Sequence, residues 1–159
     1  MKKHTIFLAA ALAAASASAT EIHIAHSIPY QDESRIDRRI TSECTKIGEF
    51  MSESVAKNAA KQGITVVRAA EDLSGQHTYA KIEIDSAVSA GSAYIGHSKS
   101  ISIYAELIEN GEVVRKTSLT RHSGGGFMGG FKGSCAVLNR TANVLGKDIA
   151  KWLGGQESR

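Results

Sequence analysis

The chain has no apolar stretch long enough to cross a bilayer, no C-x-x-C pair, and almost no excess of charge of either sign. Each absence removes a class of function. Its longest apolar run, residues 6–15, falls well short of the roughly 20 residues that a spanning helix requires. Without a C-x-x-C pair the dithiol motif of a thiol oxidoreductase is missing. A formal net charge of +3 over 159 residues argues against nucleic acid or anionic lipid as the main partner, since either favours a strongly basic surface. The motif S-D-N is also absent. Ser54-Val55-Ala56-Lys57 fits the S-x-x-K nucleophile pattern, and Lys116-Thr117-Ser118 echoes K-T-G, but without the third motif they read as helix and strand surface.

The most informative feature present is the amino terminus. Lys2 and Lys3 precede the apolar run, and Ala17-Ser18-Ala19 supplies small residues at both positions that a signal peptidase inspects. Residues 1–19 therefore read as a signal peptide, and Thr20 in place of cysteine argues against a lipid anchor. The mature part, residues 20–159, is one domain's worth of chain and should be periplasmic or secreted. In an oxidising compartment the two cysteines, Cys44 and Cys135, are expected to bond to each other.

Patterning predicts an α+β fold, a mostly antiparallel sheet with two helices packed on one face and stapled by that disulfide. Ile22, Ile24 and Ile28 alternate as one side of a first strand ended by Pro29. Ile40, Cys44, Ile47, Met51, Val55 and Ala59 recur every three or four residues, the apolar stripe of a single helix stopped at Gly63. Residues 64–67 read as a short buried strand, and residues 79–88 as a strand with Ala80, Ile82 and Ile84 inward. Residues 89–97 read as loop or irregular strand end.

Asn110-Gly111 is a strong hairpin signal, because both residues tolerate the positive φ of a type I′ turn. A two-residue loop then sets Ile108 opposite Val113, Leu107 opposite Val114, Glu106 opposite Arg115, Ala105 opposite Lys116 and Tyr104 opposite Thr117. Cys135, Leu138, Ala142, Leu145, Ile149 and Trp152 mark a closing helix ended by Gly154-Gly155. If the cysteines bond, the two helices meet at their amino-terminal turns.

Residues 123–133 are the most unusual stretch. Gly124, Gly126 and Gly129 match G-x-G-x-x-G, with Lys132 following, but no parallel strand comes after the helix as a dinucleotide-binding unit demands. Phe127, Met128, Phe131 and Lys132 read instead as side chains presented to a partner from a glycine-rich connection. His23 and His26 have helical ligand spacing but lie on a strand, where an odd offset sends them to opposite faces. His77, His97 and His122 fall in or near predicted loops, so neither a metal site nor a cofactor is expected. Cys135 at a helix start would be reactive if unpaired.

The succession of signal, helix, strands, glycine-containing stretch at residues 124–133 and closing helix at 135–153 resembles a loosely defined group of small exported bacterial envelope proteins. It is also similar in layout to the periplasmic α/β modules of outer-membrane secretion and Tol-type assemblies. The resemblance implies binding or assembly rather than catalysis, with an envelope protein or component as partner, and transfers no functional residue. A secreted inhibitor or immunity-type protein is the alternative within the binding class, and a small hydrolase or thiol enzyme the alternative outside it. Neither the partner nor the oligomeric state is legible.

Overall fold

The computed structural model describes residues 21–70, 72–92, 96–123 and 133–156. Residues 1–19, read from the sequence as a signal peptide, and Phe127, Met128, Phe131 and Lys132, read as contact residues, lie outside them. So do the glycines of the G-x-G-x-x-G match.

The elements in chain order are β1 (Glu21–Ala25), α1 (Arg38–Glu43), α2 (Ile47–Ala60), β2 (Thr65–Ala69), β3 (Thr78–Ser92), β4 (Gly96–Glu109), β5 (Glu112–Ser123) and α3 (Ser134–Leu153), with a 3-10 turn at Glu33–Arg35. The five strands form one mixed sheet in the order β2-β1-β3-β4-β5. β1 runs parallel to β2 and β3, while the long β3-β4 and β4-β5 ladders are antiparallel. The fold is thus α+β with mostly antiparallel pairing. Because β1 and β2 are parallel neighbours, the chain between them must cross over, and α2 makes that crossing.

One apolar layer joins sheet and helices. Ile24, Ile82, Ile84, Ile101, Ile103 and Leu107 from the strands share a buried cluster with Met51 and Val55 of α2 and Leu138, Leu145 and Ile149 of α3. Both predicted helical stripes are therefore the buried ones.

Several local expectations need correction. The first helical stripe is carried by two helices, because Cys44 leaves helical conformation at φ −106°, ψ 48°. Just before it, the Thr41 and Ser42 hydroxyls donate to the Arg38 carbonyl, the backbone competition that weakens helix interiors. The first strand ends at Ala25, well before Pro29; Ile28 stays buried, and Pro29 accepts the Ile84 N–H while Tyr30 bridges to Ile84. β2 is an edge strand only half covered, since among the described residues nothing pairs with its outer side. The stretch 89–97 is mostly strand, β3 running to Ser92 and β4 starting at Gly96. A bulge at Asp85 precedes that extension and turns Ala87 inward in place of the even-numbered residues.

The hairpin differs most. Asn110 and Gly111 adopt φ of 52° and 83°, the expected type I′ turn, and Ile108 faces Val113. A bulge at Val114 then shifts every later pair, so that Leu107 faces Arg115, Glu106 faces Lys116, Ala105 faces Thr117 and Tyr104 faces Ser118. Without that extra residue Lys116 and Ser118 would point into the core. With it, Arg115, Leu119 and Arg121 take the helix-covered face instead. Arg115 donates to the Trp152 and Leu153 carbonyls at the carboxyl end of α3, at 2.6 and 2.9 Å, and its guanidinium lies over the Trp152 ring. Leu119 packs on the apolar cluster, and Arg121 pairs at 2.6 Å with the buried Asp148 of α3. Lys116 is left on the open face, 2.9 Å from Glu106.

α2 and α3 run side by side in the same direction. Cys44, just before α2, is bonded to Cys135 in the first turn of α3, and Gln62 meets Gln156 beyond their other ends. The expected meeting of amino-terminal turns therefore holds. Midway, Ser54 of α2 donates to the Asn143 carbonyl of α3 at 2.6 Å, beside Gly146. Ser54 is consequently not on a solvated helix face, as the sequence reading placed it, but buried where two backbones approach.

Among the described residues four carboxylates are held below the usual carboxylate range. Asp32 accepts from the Ser34 hydroxyl and N–H, Asp37 from the Arg39 side chain and N–H, and Asp72 from the Ser74 N–H and hydroxyl. Glu106 is lowered by Lys116 and then by the Tyr104 hydroxyl. A carboxylate with a depressed folded pKa adds stability that is complete above its unfolded value, about 4, and is lost as pH falls through the folded value. The melting temperature should therefore decline progressively below about pH 4, and Glu106→Gln should make that decline shallower. Thermal melts across the acid range check this; an unchanged slope in the variant would remove Glu106 from the account.

Candidate functional site

The described residues converge most at the disulfide end. Asp37 caps α1 through the Arg39 N–H at 2.9 Å and meets the Arg39 guanidinium at 3.2 Å. α1 delivers Cys44 to Cys135, with a Cα separation of 5.0 Å. Opposite them, the bulge at Asp85 has already set β3 so that Ser89 points to this end, and its hydroxyl donates to that of Ser134 at 3.1 Å. Between these elements lies a cavity of about 440 Å³ walled by Arg39, Glu43, Cys44, Ser89, Lys99 and Ser134 among others.

Lys99 is the unexpected member. It is only 3 % exposed. Its place in the sheet explains the burial, since Lys99 shares strand parity with the buried Ile101 and Ile103 and is flanked across the ladders by Ser89 and Ser123. Sequence reasoning missed it, although a lysine two residues before an inward isoleucine on an alternating strand is a legible signal.

The cysteines expected to bond do so, and among the described residues no cysteine is free. The stretch expected to make contacts, residues 124–132, is bounded by two described residues. Ser123 ends β5 opposite Lys99, and Gly133 immediately precedes α3 two residues before Cys135. Both ends therefore lie at the cavity end of the sheet.

The remaining candidates are not brought together. His23 on β1 pairs with Glu21 at 3.1 Å, whereas His26 lies beyond the strand and its carbonyl accepts from Arg68. His77 contacts Asn110 Oδ1 at 3.3 Å, His97 belongs to β4, and His122 is on β5. Among the described residues no group of three or more His, Cys, Asp or Glu side chains is placed to hold a metal ion. Lys57 is separated in role from Ser54: it lines a shallow groove of about 330 Å³ between α2 and α3 with Lys61, Arg140 and Lys147. No described helix is long and apolar enough to cross a membrane.

No family model and no curated protein sequence matches the chain. Solved structures do. PelC from Paraburkholderia phytofirmans, crystallised as a dodecamer, superposes with a TM-score of 0.50 at 14 % identity, over 80 % of this chain and 86 % of PelC. Lipoprotein GNA1162 from Neisseria meningitidis gives 0.47 at 13 % identity, over 82 % of this chain and 98 % of its own. Protein XCC0632 from Xanthomonas campestris gives 0.46 at 15 % identity, over 67 % and 60 %. What the chain shares with PelC at this level is a fold.

Proposed function

We propose that the chain is an exported, non-catalytic protein of the bacterial periplasm or exterior that binds another protein or an envelope component through residues 124–132. The observation that carries this reading is the anchoring of that segment. Its amino end leaves a strand held in the sheet at Ser123, and its carboxyl end enters a helix tied by Cys135 to Cys44. A rigid frame that presents Phe127, Met128, Phe131 and Lys132 suits recognition, because apolar side chains on a connection between fixed ends favour contact with a partner. The disulfide fits an oxidising compartment. PelC adds support for assembly, since its dodecamer demonstrates that a chain of this fold can build a large oligomer.

The test is capture from a periplasmic extract with the immobilised, oxidised mature domain, compared with the Phe127→Ser/Phe131→Ser variant, alongside native mass measurement of both. The variant should keep its melting temperature and lose the captured partner. Unfolding of the variant would mean that the two rings belong to the core. Undiminished capture would place recognition elsewhere.

A further inference from the structure

We infer that the groove between α2 and α3 is a docking surface for a second copy of this chain, and that what it takes is the tip of the β4-β5 hairpin. The contact uses residues other than 124–132 and goes beyond the recognition role given to them.

The groove is the cationic side. Lys57 and Lys61 stand one turn apart on α2, and Arg140 and Lys147 join them from α3 around a depression of about 330 Å³. No carboxylate among the described residues lines it. Glu53, one turn before Lys57, pairs instead with Arg68 at 3.6 Å, and none of the four cations makes an ion pair among the described residues. Like charges one helical turn apart repel. The groove therefore strains the single chain electrostatically, and an anionic partner would relieve it. Val144, one turn after Arg140, is exposed in the same lining and adds an apolar spot.

The hairpin tip is the anionic side. Glu109 and Glu112 pair directly across the Asn110-Gly111 turn, both exposed, and like charges directly opposite weaken a ladder. Neither makes an ion pair among the described residues. Arg115, which lines a shallow cavity with Glu109, is already bonded to the Trp152 and Leu153 carbonyls. Next to the two carboxylates Val113 and Val114 are exposed.

Each surface repels itself and attracts the other. A tight turn with glycine at its apex projects, whereas the cations sit in the walls of a hollow, so shape agrees with charge, and the exposed valines of the tip find Val144. A membrane is a plane and would reach such walls less well. None of residues 109–114 lines the groove of its own chain, so the pairing is between chains. Groove and tip are different surfaces, and each added copy leaves one of each free. The contact is therefore heterologous and grows past a dimer, into a ring where the rotation closes.

Sedimentation velocity of the oxidised mature protein over a concentration series tests this. In low salt it should associate beyond a dimer with a midpoint on the order of 10 micromolar, and about tenfold or more weakly near 0.5 M sodium chloride, where exposed charges are screened. Lys57→Glu/Lys61→Glu and Glu109→Lys/Glu112→Lys should each stay monomeric, since tip and groove then carry the same sign. Mixed in equal amounts the two should associate again, because the acidic tip of the first meets the unaltered groove of the second. A merely damaged surface would not be rescued by mixing. Wild-type protein that is monomeric throughout, undiminished association in either reversed protein, or a mixture that stays monomeric would overturn the assignment. So would binding of a monomer to phosphatidylglycerol vesicles through Lys57 and Lys61, which would give the groove to a lipid surface. Should a reversed protein fail to fold, Lys57→Gln/Lys61→Gln should still weaken association about threefold or more, and an unchanged midpoint would overturn the assignment.

Discussion

Replacing Gly146 with alanine should cost about 3 kcal/mol or more, at the upper end of what overpacking does. A Cβ there would stand 2.5 Å from Ser54 Cβ, 2.7 Å from the Met51 carbonyl oxygen and 2.8 Å from Ser54 Oγ. One of these atoms is backbone, and Ser54 Oγ is held by the Asn143 carbonyl, so none can move aside without parting α2 from α3. The loss reaches beyond the contact itself, because Met51, Val55, Leu138 and Leu145 pack into the sheet from this helix pair. Gly48→Ala should act similarly, since its Cβ would run into the Ile28 carbonyl oxygen. Gly75→Ala is the control. Nothing lies within 4 Å of a Cβ there, so its effect should stay within about 0.5 kcal/mol. Urea melts of the three variants decide the matter. A Gly146→Ala protein as stable as the control would mean that the two helices do not touch along this line.

The contrast between Gly146 and its surroundings marks how far a sequence reading goes. Apolar spacing located the stripes of α2 and α3, because burial repeats every three or four residues whatever the helices pack against. It could not say that Ser54 belongs to the contact, since a serine on the flank of a stripe is equally at home in water. Only the missing Cβ of Gly146, distant in sequence, brings a backbone to it.

The hairpin makes the same point for strands. Asn110-Gly111 determines the turn through local φ alone, yet the register beyond it depends on what each face meets. In the unbulged register Val114 is inward, an attractive local choice. The bulge gives that up, leaving Val114 exposed at 46 %, and in return seats Arg115 on the end of α3, Leu119 in the core and Arg121 on Asp148. The partners of both arginines lie on α3, so no pattern within the hairpin contains them. Lys99 is the opposite case. Its inward position is available from strand parity, and what parity cannot supply is the cavity that Lys99 lines.

Breaking the disulfide should be the other large perturbation. The bond joins residues 91 positions apart, and the chain-entropy relation gives a loop of that length about 4 to 5 kcal/mol. Set against a total of about 5 to 15 kcal/mol for a domain, this is a third or more of the stability. Native packing should add to the loss, because Cys44 is buried against the core cluster and Cys135 packs on it. The Cys44→Ala/Cys135→Ala variant should melt about 15 °C below the oxidised protein, taking roughly 3 to 4 °C per kcal/mol at this size. It should still fold, since most of the apolar cluster between sheet and helices is made by residues other than the two cysteines. What it loses first is the disulfide end, where α1 and the opening turn of α3 have few other ties. Amide exchange should therefore speed up at Ser134, Cys135 and Ala136 while Leu145 and Ile149 stay protected. Intact mass of the unaltered protein, taken denatured and unreduced, should read two hydrogens below its reduced form. A double variant within 1 kcal/mol of the oxidised protein by urea melting would show that packing alone holds α1 against α3. In that event the disulfide end of the fold would not need the bond.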